Sequence, residues 1–303
     1  MTGFARGPMP GLSIAEAADI IMGETGQLPA IPQLPQRGLG SDAVGRTASM
    51  LAAISIDRGP RAWRMTARPQ LLTRRIWDRL ERDLDEIQEA WGESVQRIKV
   101  QAMGPWSLAA SIELSNGHRV LTDRGALEEL TEALRAGVAE HAADVARRFH
   151  AEVAVQLDEP LLAQLIAGQV PGTTDFDTIP PLPAEAALER LAPFEAEYLY
   201  APPVWEAARA AGTFLTDFAG LDTGEHFDGL GEHLSAGKRI GFGVAGRDAR
   251  AEAIAIARHF DRMGMPRELL VDHVDVYPVA ANAATLRSAA ATAGMLERDA
   301  GDL

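Results

Sequence analysis

The sequence predicts an α/β fold made of repeated strand–helix units, and three observations carry that expectation. About eight short stretches that alternate or are rich in β-branched residues are each followed by a segment of helical periodicity. Connections in the second half of the chain are short. No shift in composition divides the 303 residues, so a single domain over 1–303 is expected. The rhythm suits a (β/α)8 barrel or a doubly wound open sheet, and pattern alone does not separate the two.

The elements follow in order. A short strand precedes Gly7. Ser13 and Glu16 form a capping-box pair for a helix to about Gly23. The prolines of LPAIPQLPQRGLG (28–40) forbid a helix and suggest a strand and a loop, and Ser41 opens a second helix to about Ile56. Ala62 to Arg68 reads as a strand. Leu72, Ile76, Leu80, Leu84, Ile87 and Trp91 then form the apolar face of a long helix. Arg97 to Met103 is a strand stopped by Gly104-Pro105, and Leu108 to Leu114 suits a short helix. Ser115-Asn116-Gly117 marks a turn. Thr122 or Asp123 caps a helix to Phe149 whose apolar stripe includes His141, read as a buried structural histidine. AEVAVQLDEP (151–160) is a strand ending at Asp158 and Glu159, and a helix follows it. The Pro- and Gly-rich loop 169–183 is long enough to suggest a function. Helices at 184–192, 203–211, 225–236 and 248–263 then precede strands at 197–200, 213–217, 238–244 and 268–277, and a helix over about 281–297 closes the pattern.

Composition narrows the function classes. Forty-three acidic and 29 basic residues give a net charge of −14, which argues against nucleic acid or an anionic membrane as partner. With no cysteine, disulfides, thiolate metal sites and cysteine nucleophiles are excluded. No apolar run approaches the roughly 20 residues of a bilayer span, and the N-terminus lacks the apolar core of a signal peptide. A cytoplasmic protein with a small-molecule ligand is the expectation.

Chemistry is sought first at Asp158 and Glu159, because strand C-termini carry the sites of βα folds. Either residue is equally suited to cap a helix. GFGVAG (241–246) matches G-x-G-x-x-G and is open to three readings: a dinucleotide site, a phosphate or carboxylate site, or a plain turn. In VDHVDVY, His273, Asp275 and Tyr277 alternate on one predicted strand face and with Asp158 suggest an acid–base or metal cluster, or else hydrogen bonding between strands. His226 and His233, beside Asp222, Glu225 and Glu232, read as a solvated helix face. No nucleophile elbow is present.

KVQAMGPWSLAASIEL (99–114) and VAVQLDEPLL (153–162), in that order and spacing, resemble the C-terminal barrel of cobalamin-independent methionine synthase, and more closely short actinobacterial proteins of that type. GPMPG, APPVWEAARAAG (201–212) and DVYPVAANA extend the resemblance over most of the chain. It implies a single (β/α)8 TIM barrel of the uroporphyrinogen decarboxylase/methionine synthase type and a methyltransferase ancestry. That chemistry uses zinc to activate the homocysteine thiol. The zinc-binding His-x-Cys falls here on Tyr198 and Tyr200, the Glu on Asp217, and the late Cys near Ala280, so three of the four ligand positions are lost and no metal is expected. The amino-acid-binding Ile-Gly-Ser-Phe-Pro is reduced to Arg6-Gly7-Pro8-Met9-Pro10. Asp158 remains, and by resemblance it binds the amino group of an amino acid.

Three functions follow as expectations: a methionine-synthase-like protein that binds an amino-acid or folate-like ligand, a non-catalytic structural or regulatory paralogue, and a metal-free decarboxylase-type enzyme. The residues expected at the site are Asp158, Asp217 and His273 for catalysis, with Asp158, Glu159, Trp106, Tyr198 and Tyr200 for binding. Asp275 is expected at the same barrel mouth. Arg37, Lys99, Arg247 and Arg250 are the cations considered for substrate carboxylates. An arginine pair in the mouth would favour the decarboxylase; a mouth filled by Tyr198, Tyr200 and Trp106 would favour the paralogue.

Overall fold

The computed structural model describes residues 2–92, 95–173 and 178–303. Its elements run α1 (Ile14–Thr25), α2 (Ala43–Ala48), β1 (Ser55–Arg58), β2 (Trp63–Thr66), α3 (Leu71–Trp91), β3 (Arg97–Met103), α4 (Pro105–Ser111), β4 (Ile112–Glu113), α5 (Arg124–Phe149), β5 (Glu152–Asp158) and α6 (Leu162–Ile166). They continue with α7 (Ala184–Leu191), β6 (Tyr198–Tyr200), α8 (Trp205–Ala208), β7 (Thr213–Asp217), α9 (Gly224–Ser235), β8 (Arg239–Val244), α10 (Ala249–Met263), α11 (Glu268–His273), β9 (Val274–Pro278) and α12 (Ala283–Asp299).

The main sheet has six strands in the order β3-β5-β6-β7-β8-β9, each pair parallel. It curls into a half-barrel. Phe4, Leu28, Ala154, Tyr198, Leu215 and Tyr277 meet inside the curl, while Phe214, Ile240, Phe242, Val274 and Val276 pack outward with the helices. Alternation along each strand produces this division, since successive side chains leave opposite faces. Strands buried on both faces also explain the near-continuous apolar character of β7 and β8.

Hydrogen bonding continues from the two sheet edges into the N-terminal stretches. Phe4 donates to the Val276 carbonyl and Val276 to that of Thr2, both at 3.1 Å. Met9 and Gln33 pair through the carbonyls of Gln33 and Gly7. Ile31 donates to the carbonyl of Lys99 in β3, and Lys99 donates to that of Pro29, both at 2.9 Å. A second, smaller sheet joins the antiparallel pair β1–β2 to β4.

Four boundaries differ from expectation, one of them the helix expected at 203–211, which spans only Trp205–Ala208. The helix predicted from Ser41 to Ile56 starts after an Asp42 cap and ends at Ala48. The chain then lies across α5, where Ala52 donates to the Ala133 carbonyl. A Cβ at Gly137 would overlap the Met50 carbonyl, so only glycine admits that approach. The short helix predicted at 108–114 begins earlier, with Pro105 in its first turn, and its last residues join β4. The strand predicted over 268–277 is helical to His273 and extended only from Val274, because a short apolar run carries no decisive period. Part of the predicted loop, residues 174–177, lies outside the described residues. No described helix is long and apolar enough to cross a membrane.

Candidate functional site

The C-terminal ends of β5, β6 and β7 are Asp158, Tyr200 and Asp217. Register aligns Met103, Asp158 and Tyr200 across β3, β5 and β6, and Asp217, Gly243 and Tyr277 across β7, β8 and β9. Parallel strands therefore deliver Asp158, Tyr200 and Asp217 to one end of the sheet. Arg6 joins them from the N-terminal stretch, with its guanidinium carbon 4.0 Å from the Tyr200 ring centroid. Arg6, Asp158, Tyr200 and Asp217 all keep partial solvent exposure.

Beneath them lies a buried polar column. The Lys99 ammonium, fully buried, donates to Gln156 Oε1 at 2.6 Å and sits 3.9 Å from the Phe4 ring centroid. Gln156 Nε2 donates to Asp158 Oδ1 at 2.7 Å and to the Arg6 carbonyl at 3.0 Å. Burial pushes the Lys99 ammonium well below its usual range, against the pull of Asp158. Burial likewise raises the Asp158 carboxyl; Arg6, Gln156 and Lys99 act against that rise. Asp217 accepts the Tyr277 hydroxyl at 3.1 Å. This contact exists because Gly243 lies between the two strands: a Cβ there would stand 2.6 Å from Asp217 Oδ1 and 2.8 Å from the Tyr277 oxygen.

Several expected site residues are placed elsewhere. Glu159 is fully buried and points to α4, accepting the Trp106 N–H at 2.9 Å and the Ser107 N–H at 2.7 Å. It caps the helix after the neighbouring strand, so its carboxylate is committed. Trp106 is buried against α7, its indole N–H directed at the Ala187 carbonyl. Tyr198 begins β6 and packs on Phe4 at a 5.5 Å centroid separation, below the open end. His273 ends α11 and faces the Lys238 carbonyl at 3.1 Å, and Asp275 accepts from Arg239 and from the Thr2 N–H at 2.8 Å. Both lie toward the N-terminal end, because the strand begins later than its pattern implied.

The remaining motifs resolve in the same way. The first four residues of GFGVAG are the end of β8, and the amides that follow, of Gly246 and Arg247, donate to Glu252, so the turn after the strand is closed by the chain's own carboxylate. His233 is buried and faces the Arg239 carbonyl at 2.9 Å, and His226 stacks edge-on against Trp205, so neither forms the expected solvated face. His141 is largely enclosed, and burial lowers it to about 4. Arg37 pairs with Asp83, Lys99 lies inside the curl, and Arg247 and Arg250 are exposed after β8.

Arg6 and Gln156 were not singled out in the sequence. The signal for Gln156 is its two-residue spacing from Asp158 on one strand face; Arg6 follows Phe4 by the same step. The residues present do not suit zinc. Tyr198 and Tyr200 offer no imidazole or thiolate, and Asp217 is engaged by Tyr277. Among the described residues no group of three or more His, Cys, Asp or Glu side chains is placed to hold a metal ion. No family model matches the chain, and no curated protein matches it.

Proposed function

We propose that the chain is a methionine-synthase-like (β/α)8 barrel, closed by residues 2–9 and 29–33, whose C-terminal mouth binds a small α-amino acid without a metal. The observation that carries this reading is the opposition of Arg6 and Asp158 at one partly exposed end of the sheet. A carboxylate suits an ammonium and a guanidinium suits a carboxylate, each through charge-assisted hydrogen bonds. Tyr200 holds Arg6 by cation–π contact, and Gln156 orients Asp158. Asp217, fixed by Tyr277, is left to contact the side chain or a second donor of the ligand. Homocysteine methylation with methyl-tetrahydrofolate is outside the proposal, since nothing here replaces the cation that makes the thiolate.

A decarboxylase site would need paired cations facing the mouth. Arg6 stands there with Lys99 enclosed below it, and Arg37 is held by Asp83. That arrangement favours a zwitterion over a polycarboxylate.

Isothermal titration with methionine, its amide and its deaminated acid tests the reading. Methionine is expected to bind, with both truncated analogues at least about 10-fold weaker, since each leaves one charged group unpaired. Affinity should rise with pH through the raised pKa of Asp158, because binding an ammonium favours the ionised carboxyl. Failure of every common α-amino acid to bind, or binding unchanged by Arg6→Met and Asp158→Asn, would refute it. An assay with added zinc, homocysteine and methyl donor should yield no methionine.

A further inference from the structure

A second cluster of charge lies between α2, the 35–41 segment and α3. Arg37, Arg46, Arg79, Asp83, Ser41 and Ser49 line a cavity of about 10 Å3, room for the centre of one small occupant, a water or a single ion. Arg37 is committed: Nη1 donates to Asp83 Oδ1 at 2.6 Å and Nε to the Leu12 carbonyl at 2.7 Å. Arg79 Nη1 donates to Ser41 Oγ at 2.6 Å. Arg46 differs. It is 7% exposed, and its side chain donates no hydrogen bond to any described residue; Nε in particular is buried without a partner.

A buried guanidinium with unmet donors is costly. Burial lowers Arg46 to about 10, with Asp83 opposing and Arg37 adding to the fall, so it stays charged at neutral pH. Three guanidinium groups against one carboxylate leave the cavity about two charges positive. Water in the cavity would meet a donor but leave that excess. The Ser41 hydroxyl accepts from Arg79, so its proton is free to point into the cavity. Ser49 spends its own on the Arg46 carbonyl at 2.6 Å.

We propose that this cavity is a buried site for one monatomic anion of the halide class, held by the Arg46 guanidinium and the Ser41 hydroxyl between Arg37 and Arg79. The volume selects a single atom over a tetrahedral oxyanion, and the charge selects an anion over water. An occupant here would bind α2 to α3. The Thr47 Oγ1 of α2 accepts the Met103 N–H at the end of β3, so the anion would also brace the sheet end that carries Asp158.

The test uses the whole chain. Crystals soaked in bromide should show an anomalous peak within hydrogen-bond distance of Arg46. At constant ionic strength, replacing gluconate with chloride should raise the unfolding temperature by several degrees, as a ligand of the folded state does. Arg46→Met should abolish that rise, whereas Arg250→Ala, exposed in the first turn of α10, should keep it. A water without bromide at the position, equal unfolding temperatures in chloride and gluconate, or equal stabilisation by sulfate would each overturn the proposal. Should Arg46→Met fail to fold, the bromide and chloride measurements on the unaltered chain decide the matter.

Discussion

At the N-terminal end of the curled sheet Asp275 meets Arg239; at the C-terminal end Asp158 faces Arg6. The first pair is closed: Asp275, 2% exposed, accepts from Nη2 of Arg239 at 2.8 Å, from its Nε at 3.3 Å and from the Thr2 amide at 2.8 Å. In the second, Asp158 accepts from Gln156, and Arg6 rests on the Tyr200 ring while solvent reaches both. The same two residue types thus serve opposite purposes. Where donors and acceptors are matched within the chain, charge holds strands together; where they are left partly unmatched beside solvent, charge is available to a ligand.

The largest effect should come from the closed end. Arg239→Met leaves the Asp275 carboxylate buried without its cation. We expect a loss of about 3 kcal/mol, the low end for breaking a buried pair, because Arg239 is 35% exposed. Urea unfolding measures it, and amino-acid binding per folded molecule should be unchanged. A loss below about 0.5 kcal/mol would place this pair among ordinary surface pairs and erase the contrast.

Glu159 sharpens the comparison because it is a matched carboxylate next to the unmatched one. Burial lifts its carboxyl from 4.5 to about 7, against the Trp106 and Ser107 hydrogen bonds. A raised folded-state pKa means that the native chain holds the proton more tightly than the unfolded chain. The resulting stabilisation is complete below about 4.5 and is lost as pH rises through 7. That window should be worth about 3 kcal/mol. His141, lowered to about 4, acts in the opposite direction between 4 and 6.5, so the difference between the unaltered chain and Glu159→Gln isolates the carboxyl. A difference that stays flat from pH 4.5 to 8 would show that Glu159 remains ionised on its helix.

How much of this was readable in the sequence depended on period. The strand carrying Asp158 announced itself by alternation and by the proline that ends it, and α3 and α5 by long apolar stripes. LLVDH carries neither signal over enough residues, so His273 and Asp275 were assigned to the wrong end. The helix after Ser41 was overextended because the chain's turn onto α5 depends on Gly137, nearly ninety residues later, which no local window contains. Strand pattern alone does not separate the two acids of D-E-P. One faces inward and the other reaches backward to a helix on the next strand, a difference decided by strand order. Arg6 escaped notice because its partner Tyr200 is distant in sequence and the contact is with a ring face.

Gly243→Ala probes the open end without altering a charge. The new methyl would press on both Asp217 Oδ1 and the Tyr277 oxygen, with β8 fixed on either side by β7 and β9. Overpacking of this kind costs about 1–3 kcal/mol. Parting Asp217 from Tyr277 should also weaken the ligand. Unchanged binding despite the lost stability would remove Asp217 from the site and leave Arg6 and Asp158 to act alone.

The smallest expected change in stability belongs to Asp158→Asn, and the comparison depends on it most. If the carboxylate were there to hold the fold, its loss would resemble that of Arg239. Its surroundings argue otherwise. Burial already disfavours the ionised form, so a neutral isostere removes a desolvation cost, and its carbonyl oxygen can still accept from Gln156 Nε2. What disappears is attraction to Arg6 and Lys99, both of which have other neighbours in Tyr200 and Gln156. We expect unfolding free energy to change by less than about 1 kcal/mol, in either direction, while methionine binding falls at least about 10-fold because the ammonium loses its counter-charge. Urea unfolding and titration calorimetry on the same preparation give both numbers. A destabilisation of about 3 kcal/mol with binding intact would make the open end a second structural pair, and the difference between the two ends would vanish.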